Sequence, residues 1–449
     1  MQKSESWGIV GGGILGMTLA LRLAQHGQLV TLFEGGSQLG GLASAWNLGD
    51  IVWDRHYHVI LLSDTYLRRL LSELGLESEM RWVQTRTGFY TDGKLYSMSN
   101  SIEFLRFPPL RLRDKVRLAL TILRASRIKD WQTLEQVGVV PWLTRWSGKH
   151  TTEKIWLPLL RAKLGQNYEK ASAAFIWATI ARMYAARRSG LKKEMFGYVP
   201  GGYARILQHL KDALVSAGVS IELNHKARVV TAEGGDGISI GFSGGETRHF
   251  DRIVLTAPAP AIADLCPQLT AEEKAQWRSI EYQGIICASL LLRKSLAGFY
   301  VTNITDAWVP FTAVIEMSAL VDGEQFAGNA LVYLPKYVPS NDPSFNLSDE
   351  DLKGSFLSAL ARMYPTFEPS DVLSFQVSRI RQVFAIPTLG YSDRTPAMNT
   401  SQPGIHVVNS AQIVNGTLNV NETIQLAERA VTKLLSLPAR RSKFASASV

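Results

Sequence analysis

The residues best suited by type and spacing to do chemistry lie near the start of the chain. Gly11-Gly12-Gly13-Ile14-Leu15-Gly16 satisfies G-x-G-x-x-G at Gly11, Gly13 and Gly16, and an acid, Glu34, follows 18 residues after the last of these glycines. Gly11 permits a tight turn, Gly13 lets backbone approach a pyrophosphate, and Gly16 allows close packing of a helix on a strand. A helix opening at Ile14 and Leu15 would turn unpaired amides and a positive dipole end toward phosphate. A carboxylate at position 34 suits ribose hydroxyls and repels a 2′-phosphate, which argues against NADP at this site.

The elements needed to position these residues are present. Trp7 to Val10 reads as a short strand. Leu15, Leu19 and Leu23 mark one face of a helix, Gly27 closes it, and Leu29 to Phe33 forms a second strand ending in Glu34. Strand, glycines, helix, strand and acid in that order predict a dinucleotide site. An NAD domain would enter its next helix here. This chain instead continues Gly35-Gly36-Ser37-Gln38-Leu39-Gly40-Gly41-Leu42. A second glycine pair, Gly40-Gly41, can fold back over the same pyrophosphate, which points to FAD.

Gly11 to Gly16, Glu34 and Gly40-Gly41 resemble the flavoprotein superfamily of amine oxidases, protoporphyrinogen oxidases, phytoene desaturases and UDP-galactopyranose mutases. The resemblance implies an α/β fold: a Rossmann-like, three-layer ββα FAD-binding domain interleaved with an α+β substrate domain. Many members carry Arg after the glycine pair, where this chain has Leu42. The run from Val52 to Ile60 is similar to the strand passing the flavin ring, with His58 where the mutases carry a histidine. Phe250 to Pro258 resembles the strand that leads back to the substrate domain, and Gly404 to Ser410 resembles the last cofactor strand. Asn409-Ser410 stands where many members have a Gly-Asp that contacts the ribityl phosphate. The resemblance also implies a backbone contact to adenine near Val229. Asn419 can cap the last helix, with Glu422 three residues on as a capping box. In the superfamily that helix points its N-terminus at the flavin pyrimidine edge.

A chain of 449 residues with 46% hydrophobic and 19% charged residues is an ordinary globular protein of more than one domain. The expected division is a FAD-binding domain over 1–86, 193–261 and 384–437. The substrate domain takes 87–192, with a helical insertion, and 262–383, and 438–449 forms a disordered tail. Asp92-Gly93 between aromatic-rich segments signals a hairpin. Gly234 to Gly237 reads as another hairpin turn, not as a second dinucleotide loop. Cys266 and Cys287 are isolated and read as buried reduced thiols. The N-terminus lacks a signal-peptide layout and no apolar run is long enough to span a bilayer, so a cytoplasmic protein is expected.

Net charge is +9, which suggests an anionic partner; without a nucleic-acid motif, nucleic acid is not expected. Seven basic residues and one acid, Asp114, lie between Arg111 and Lys129, with Leu112, Val116, Leu120 and Leu123 on one helix face. The preferred reading is a solvated surface helix. The alternative is an interfacial helix at the inner face of a membrane, feeding a lipid-like substrate to the flavin. Arg161, Lys163, Arg182, Arg187 and Arg188 form a candidate anion site. In a strand through residues 52–60, His56 and His58 would share one face, opposite Arg55 and Tyr57. No third ligand accompanies the histidines, so no metal is expected. His58 is the candidate catalytic group beside the flavin; Tyr57, Tyr198, Tyr203 and Tyr391 are candidates for lining the substrate cavity. The expected activity is FAD-dependent oxidation, with hydride passing from a substrate C–H bond to flavin N5. Isoprenoid, porphyrinogen-like or amine substrates fit. The alternative is a mutase-like sugar-nucleotide enzyme with no net redox.

Overall fold

The computed structural model describes residues 4–187, 195–233, 237–414, 416–438 and 440. Strand Ser6–Val10 lies at the centre of a five-stranded parallel sheet. Leu29–Phe33 and then Ser220–Glu222 follow on one side, and Arg252–Leu255 and then Ile405–Val407 on the other. The chain therefore leaves this sheet and returns to it twice over long distances. The central strands are mostly apolar, with Ser6, Thr31 and Arg252 the exceptions, because both faces are covered. Helices Ile14–Gln25, Gly202–Ser216 and Val420–Leu435 pack on one face. A three-stranded antiparallel sheet (Ala227–Ala232, Ile238–Phe242, Thr247–Phe250) packs on the other through Phe33, Phe242 and Phe250. This is the expected ββα arrangement.

Helix Ile14–Gln25 is buried from Ile14 through Leu23, because it is wedged between the sheet and helix Val420–Leu435. Its one buried cation, Arg22, is neutralised by Glu428 at 2.8 Å and Glu73 at 2.7 Å. A buried guanidinium needs both carboxylates to offset its lost hydration.

A seven-stranded mixed sheet forms the second layer system, in the order Val372–Ala385, Tyr282–Leu292, Ala330–Pro339, Ala313–Glu316, Val301–Ile304, Thr87–Thr91, Lys94–Ser97. One face packs on helix Asp349–Met363 through Phe356 and Leu360. The other covers residues 48–61 through Tyr333, Ile285 and Cys287. Asp92 and Gly93 have φ of 53° and 70°, as a two-residue hairpin of this hand requires. Residues 101–187 form the expected helical insertion, which includes Leu112–Ala125, Val139–Ser147, Leu157–Leu164 and Ala173–Arg187. Cys266 and Cys287 are buried and unbridged. No helix among the described residues is long and apolar enough to cross a membrane.

Three expectations need correction. The run 52–60 is not one strand: Ile51–Asp54 ends at Asp54, residues 55–59 bend, and Ile60–Leu61 pairs separately with Met195–Tyr198. Arg55 N donates to Ser44 O at 2.9 Å, one step further along the hairpin register with Ala45–Leu48, and the Tyr333 hydroxyl donates to Asp54 O where the strand ends. Asn419 does cap the last helix, accepting from Glu422 N at 3.0 Å, but Glu422 does not return the bond and no full box forms. The Glu422 carboxyl instead lies against Gly416. The segment expected to be a free tail is tied down where described: Arg252 bonds Pro438 O, and Arg440 bonds Glu5 and Pro403 O. The remainder, and Gly234 to Asp236 of the expected turn, lie outside the described residues.

A Cβ on Gly16 would stand 1.9 Å from Gly11 O, so no rotamer relieves it. Gly16→Ala should cost roughly 1–3 kcal/mol or more and release FAD, read as a lowered melting temperature with loss of flavin absorbance after gel filtration. A variant that keeps both would contradict this packing.

Candidate active site

The two glycine loops interlock. Gly40 N donates to Gly12 O at 2.8 Å, and Gly13 and Gly40 form a parallel bridge. Gly41, at φ 55°, brings the position its Cβ would take to 3.2 Å from Gly13 Cα. Glu34 ties both loops: its carboxylate accepts from Gly12 N at 2.8 Å and Gly36 N at 2.7 Å. This clasp was not foreseen, and each oxygen keeps a second lone pair. Thus Gly11, Gly13, Ile14, Leu15, Gly16, Glu34, Gly35, Gly40, Gly41 and Leu42 converge on one place.

The geometry fits a dinucleotide. The amides of Ile14 and Leu15 open the helix, and no described residue accepts from them. A Cβ on Gly13 would meet nothing nearer than 4.0 Å, so its outer side is an open cradle. Beyond Leu42 the wall carries buried polar atoms without partners: Trp46 Nε1, Arg55 Nε and His56 Nε2. His56 Nδ1 lies 3.1 Å from Leu42 O. A carbonyl only accepts, so the proton sits on Nδ1 and Nε2 is left as a bare acceptor. Two donors and an acceptor with nothing to bond suit a ligand rich in hydroxyls and carbonyls, as FAD is.

Other expected contacts are placed as follows. Val229 is exposed on strand Ala227–Ala232, just past a register shift. Nearby, His225 N donates to Glu34 O, and Asn224 N to Gly36 O, both at 2.9 Å. Asn409 is buried and engaged: its Oδ1 accepts from Ala411 N and its Nδ2 donates to Ala257 O, both at 3.1 Å. Ser410 is half-buried beside it. Asn419 heads the helix that packs along Ile14–Gln25.

His58 and His56 sit in separate environments. The His58 ring packs tilted against Tyr203, with centroids 4.7 Å apart, in a small pocket with Trp53, Tyr198 and Met317. Its Nδ1 is 2.9 Å from His56 O and 3.9 Å from Asp54 Oδ2. Burial pulls His58 and His56 down to about 4 and pushes Asp54 up to about 8. Tyr203 N, 2.7 Å from Asp54 Oδ1, only partly offsets this. At neutral pH the group therefore holds two neutral imidazoles and a protonated carboxyl. Tyr57 bonds Tyr337, hydroxyl to hydroxyl at 2.8 Å. Tyr391 lies elsewhere, bonded to Ala411 O beside a separate cleft lined by Lys170, Glu281 and Arg394.

The expected basic cluster disperses. Arg182 pairs with Asp64 at 3.0 Å, and Arg161 contacts Tyr168. Lys163 lies over Tyr337. The side chain of Arg187 and all of Arg188 fall outside the described residues. Two contacts escaped sequence reasoning: Asn421 Oδ1 accepts from Tyr66 N and Leu67 N at 2.9 and 3.2 Å, and Arg182–Asp64 joins the insertion to the same corner. No local signal marks either, because their partners are more than 100 residues apart. Among the described residues no group of acids, histidines and cysteines could hold a metal.

A ββα nucleotide domain with two clasped glycine loops, threaded through a second sheet with a helical insertion, defines a FAD-dependent oxidoreductase. The family model described as flavin-containing amine oxidoreductase matches residues 16–435, and the chain belongs to that family. The coproporphyrinogen III oxidase of Mycobacterium tuberculosis (strain ATCC 25618 / H37Rv) is 24% identical over 457 residues, 96% of this chain and 97% of that protein. The 15-cis-phytoene desaturase of Glycine max is 20% identical over 392 residues, 80% of this chain and 65% of that one. Among solved structures, a redesigned putrescine oxidase shares the fold with a TM-score of 0.73 at 18% identity, covering 96% of this chain and 99% of its own. A reduced UDP-galactopyranose mutase does so at 0.73 and 17%, covering 97% and 96%. With its basic cluster dispersed, the mutase-like alternative retains only this shared fold.

A carboxyl whose folded pKa is raised contributes stability below its unfolded value, lost as pH rises through the folded one. From an ordinary 3.8 to about 8, Asp54 should therefore weaken the fold increasingly across that window. Asp54→Asn keeps the acceptor for Tyr203 N and removes the titration. Urea unfolding should show the variant gaining on the parent between pH 5 and pH 9, by on the order of a few kcal/mol. Parallel pH profiles would refute the neutral carboxyl.

Proposed function

We propose that this oxidoreductase removes hydride from a C–H bond of a largely apolar substrate, with the adjacent carbon or nitrogen releasing a proton to solvent, to leave a C=C or C=N bond, and with dioxygen or a quinone as final electron acceptor. The observation that carries the reading is the neutral, aromatic wall of Tyr57, Tyr337, Tyr333 and Tyr300 beside the unpartnered polar atoms of residues 46–56. FAD supplies the hydride acceptor; the chain supplies binding, orientation and exclusion of water. In this reading Gly11, Gly13, Gly16 and the Ile14 and Leu15 amides hold the pyrophosphate, and Gly35, Gly40, Gly41 and Leu42 close over it with backbone. Glu34 holds the adenosine ribose, and backbone near Val229 meets the adenine. Asn409 and Ser410 shape the ribityl side. Asn419 fixes the helix whose positive end faces the flavin pyrimidine edge, where it favours negative charge on the reduced ring. His58 stays neutral beside the ring and offers an acceptor, not a proton.

Substrates of the kinds named for the relatives, porphyrinogens and carotenoids, are consistent with an apolar site. Peripheral contact with an anionic membrane, from the cytoplasmic side, belongs to the same reading. On helix Leu112–Ala125, Asp114, Lys115, Leu118 and Thr121 face inward. Leu112, Val116 and Leu120 are 67%, 51% and 58% exposed, beside the exposed Ile102 and Leu105. Asp114, the acid that would dilute the basic field, is buried against His150 at 3.0 Å. An exposed aliphatic row flanked by Arg111, Arg113 and Arg117 suits a headgroup boundary.

Mixed anaerobically with reduced tetrapyrroles, polyenes or amines, the FAD-loaded protein should lose its oxidised flavin absorbance with at least one class. Flavin–sugar adducts without net reduction would overturn the reading. In a separate sedimentation assay with phosphatidylglycerol vesicles, the protein should pellet. Leu112→Asp/Leu120→Asp should cut the bound fraction at least tenfold, and equal pelleting would remove the membrane contact.

A further inference from the structure

Lys163 stands apart from Arg161 and Arg182, the other candidate anion-site cations whose side chains are described. It lies on helix Leu157–Leu164 of the insertion, with its ammonium 3.5 Å from the centroid of the Tyr337 ring and 5.4 Å from that of Phe384. No carboxylate pairs with it and no acceptor bonds it among the described residues. Its position is well held: Thr312 Oγ1 donates to Ala162 O at 3.0 Å and accepts from Tyr337 N at 3.4 Å, so Thr312 bridges the helix end to the strand carrying Tyr337. Gly165 packs on Pro339 of the same strand.

The groups facing this ammonium bring no negative charge. Tyr337, Tyr57 and Cys287 are each pushed up by burial and stay protonated. Tyr337 also bonds Tyr57, which follows His56 on the wall beside Leu42. Lys163 is thus a positive charge with no anion among the described residues, boxed by two aromatic rings, one of which bonds Tyr57 of the proposed flavin wall. Burial pulls it down to about 7, as expected for an ammonium with no counter-charge. A half-buried ammonium kept without an anion loses hydration that an anion arriving with a ligand would offset.

We propose that Lys163 is a substrate-recognition residue that binds a carboxylate carried on an apolar or aromatic substrate, with Tyr337 and Phe384 gripping the adjoining apolar part. The inference rests on the reading that FAD lies along residues 41–58, since that makes this box the substrate side of the site. It narrows the substrate to an apolar acid, and it assigns the selection to the helical insertion.

The test is calorimetric, on FAD-loaded protein. Benzoate and 1-naphthoate are titrated against their uncharged amides. The parent should prefer each acid over its amide by tenfold or more at pH 6.5, and the preference should fade as pH rises above about 7. Lys163→Met should bind acid and amide alike, and Lys163→Arg should retain most of the preference. If Lys163→Met fails to fold, the pH series on the parent and Lys163→Arg still decide. Equal binding of acid and amide by the parent, no binding of either acid, or a preference that survives in Lys163→Met overturns the proposal. Those failures in FAD-loaded protein leave the oxidoreductase reading standing. Protein that takes up no FAD sinks that reading instead.

Discussion

The architecture depends on a clasp between two backbone loops with almost no side chains. Gly12 O accepts from Gly40 N, and the Glu34 carboxylate reaches Gly12 N and Gly36 N across the gap. Side chains at Gly11, Gly16 or Gly40 would strike Thr256, Gly11 O or Leu207. Loops this bare have little hydrophobic content of their own, chiefly Leu39 against Gly12, to hold them together. The carboxylate, accepting two backbone amides, replaces the water those amides would otherwise need. An acid at this position therefore sets the spacing of the cradle by itself, before any ligand arrives.

That local clasp becomes a site only because distant segments converge on it. Asn421 caps the helix beginning at Thr65, and Asp64, just before that helix, pairs with Arg182 of the insertion. Arg22, Glu73 and Glu428 tie the first helix, the second and the last. Each link spans two or three of the separate passages that build the nucleotide layer. The insertion is therefore braced against the cofactor side at Arg182 and against the mixed sheet at Ala162 and Gly165. Lys163 inherits its position from that second brace.

Legibility in the sequence followed the range of the interactions. Gly11 to Gly16, Glu34 and Gly40-Gly41 could be read because a turn, a dipole end and a strand-end acid are local demands, each met within a few residues. The Asp92-Gly93 hairpin and the Asn419 cap were readable for the same reason. The run from Val52 to Ile60 misled because its residue types suit a strand, while its pairing partners are two different elements: Ala45–Leu48 for Ile51–Asp54 and Met195–Tyr198 for Ile60–Leu61. The two histidines consequently lost the shared face that alternation implied. Lys163 was visible only as one of five cations. Nothing near it in sequence shows that Arg182 has a carboxylate partner and Lys163 has none among the described residues, because the partners that decide this are supplied by other elements.

The electrostatics around residues 53–58 bear on which of the three substrate classes fits. Burial leaves Asp54 protonated, His56 and His58 neutral, and Tyr57 and Tyr337 protonated. The charges remaining near this wall are positive, Arg55 over Trp46 and Lys163 over Tyr337. A protonated amine entering here would be desolvated beside like charge, with no carboxylate described in the box to balance it. A neutral polyene would meet an aromatic wall but leave Lys163 unpaired. A tetrapyrrole-like or terpenoid acid satisfies both the wall and the lysine, so the balance of charge favours an apolar acid over either alternative.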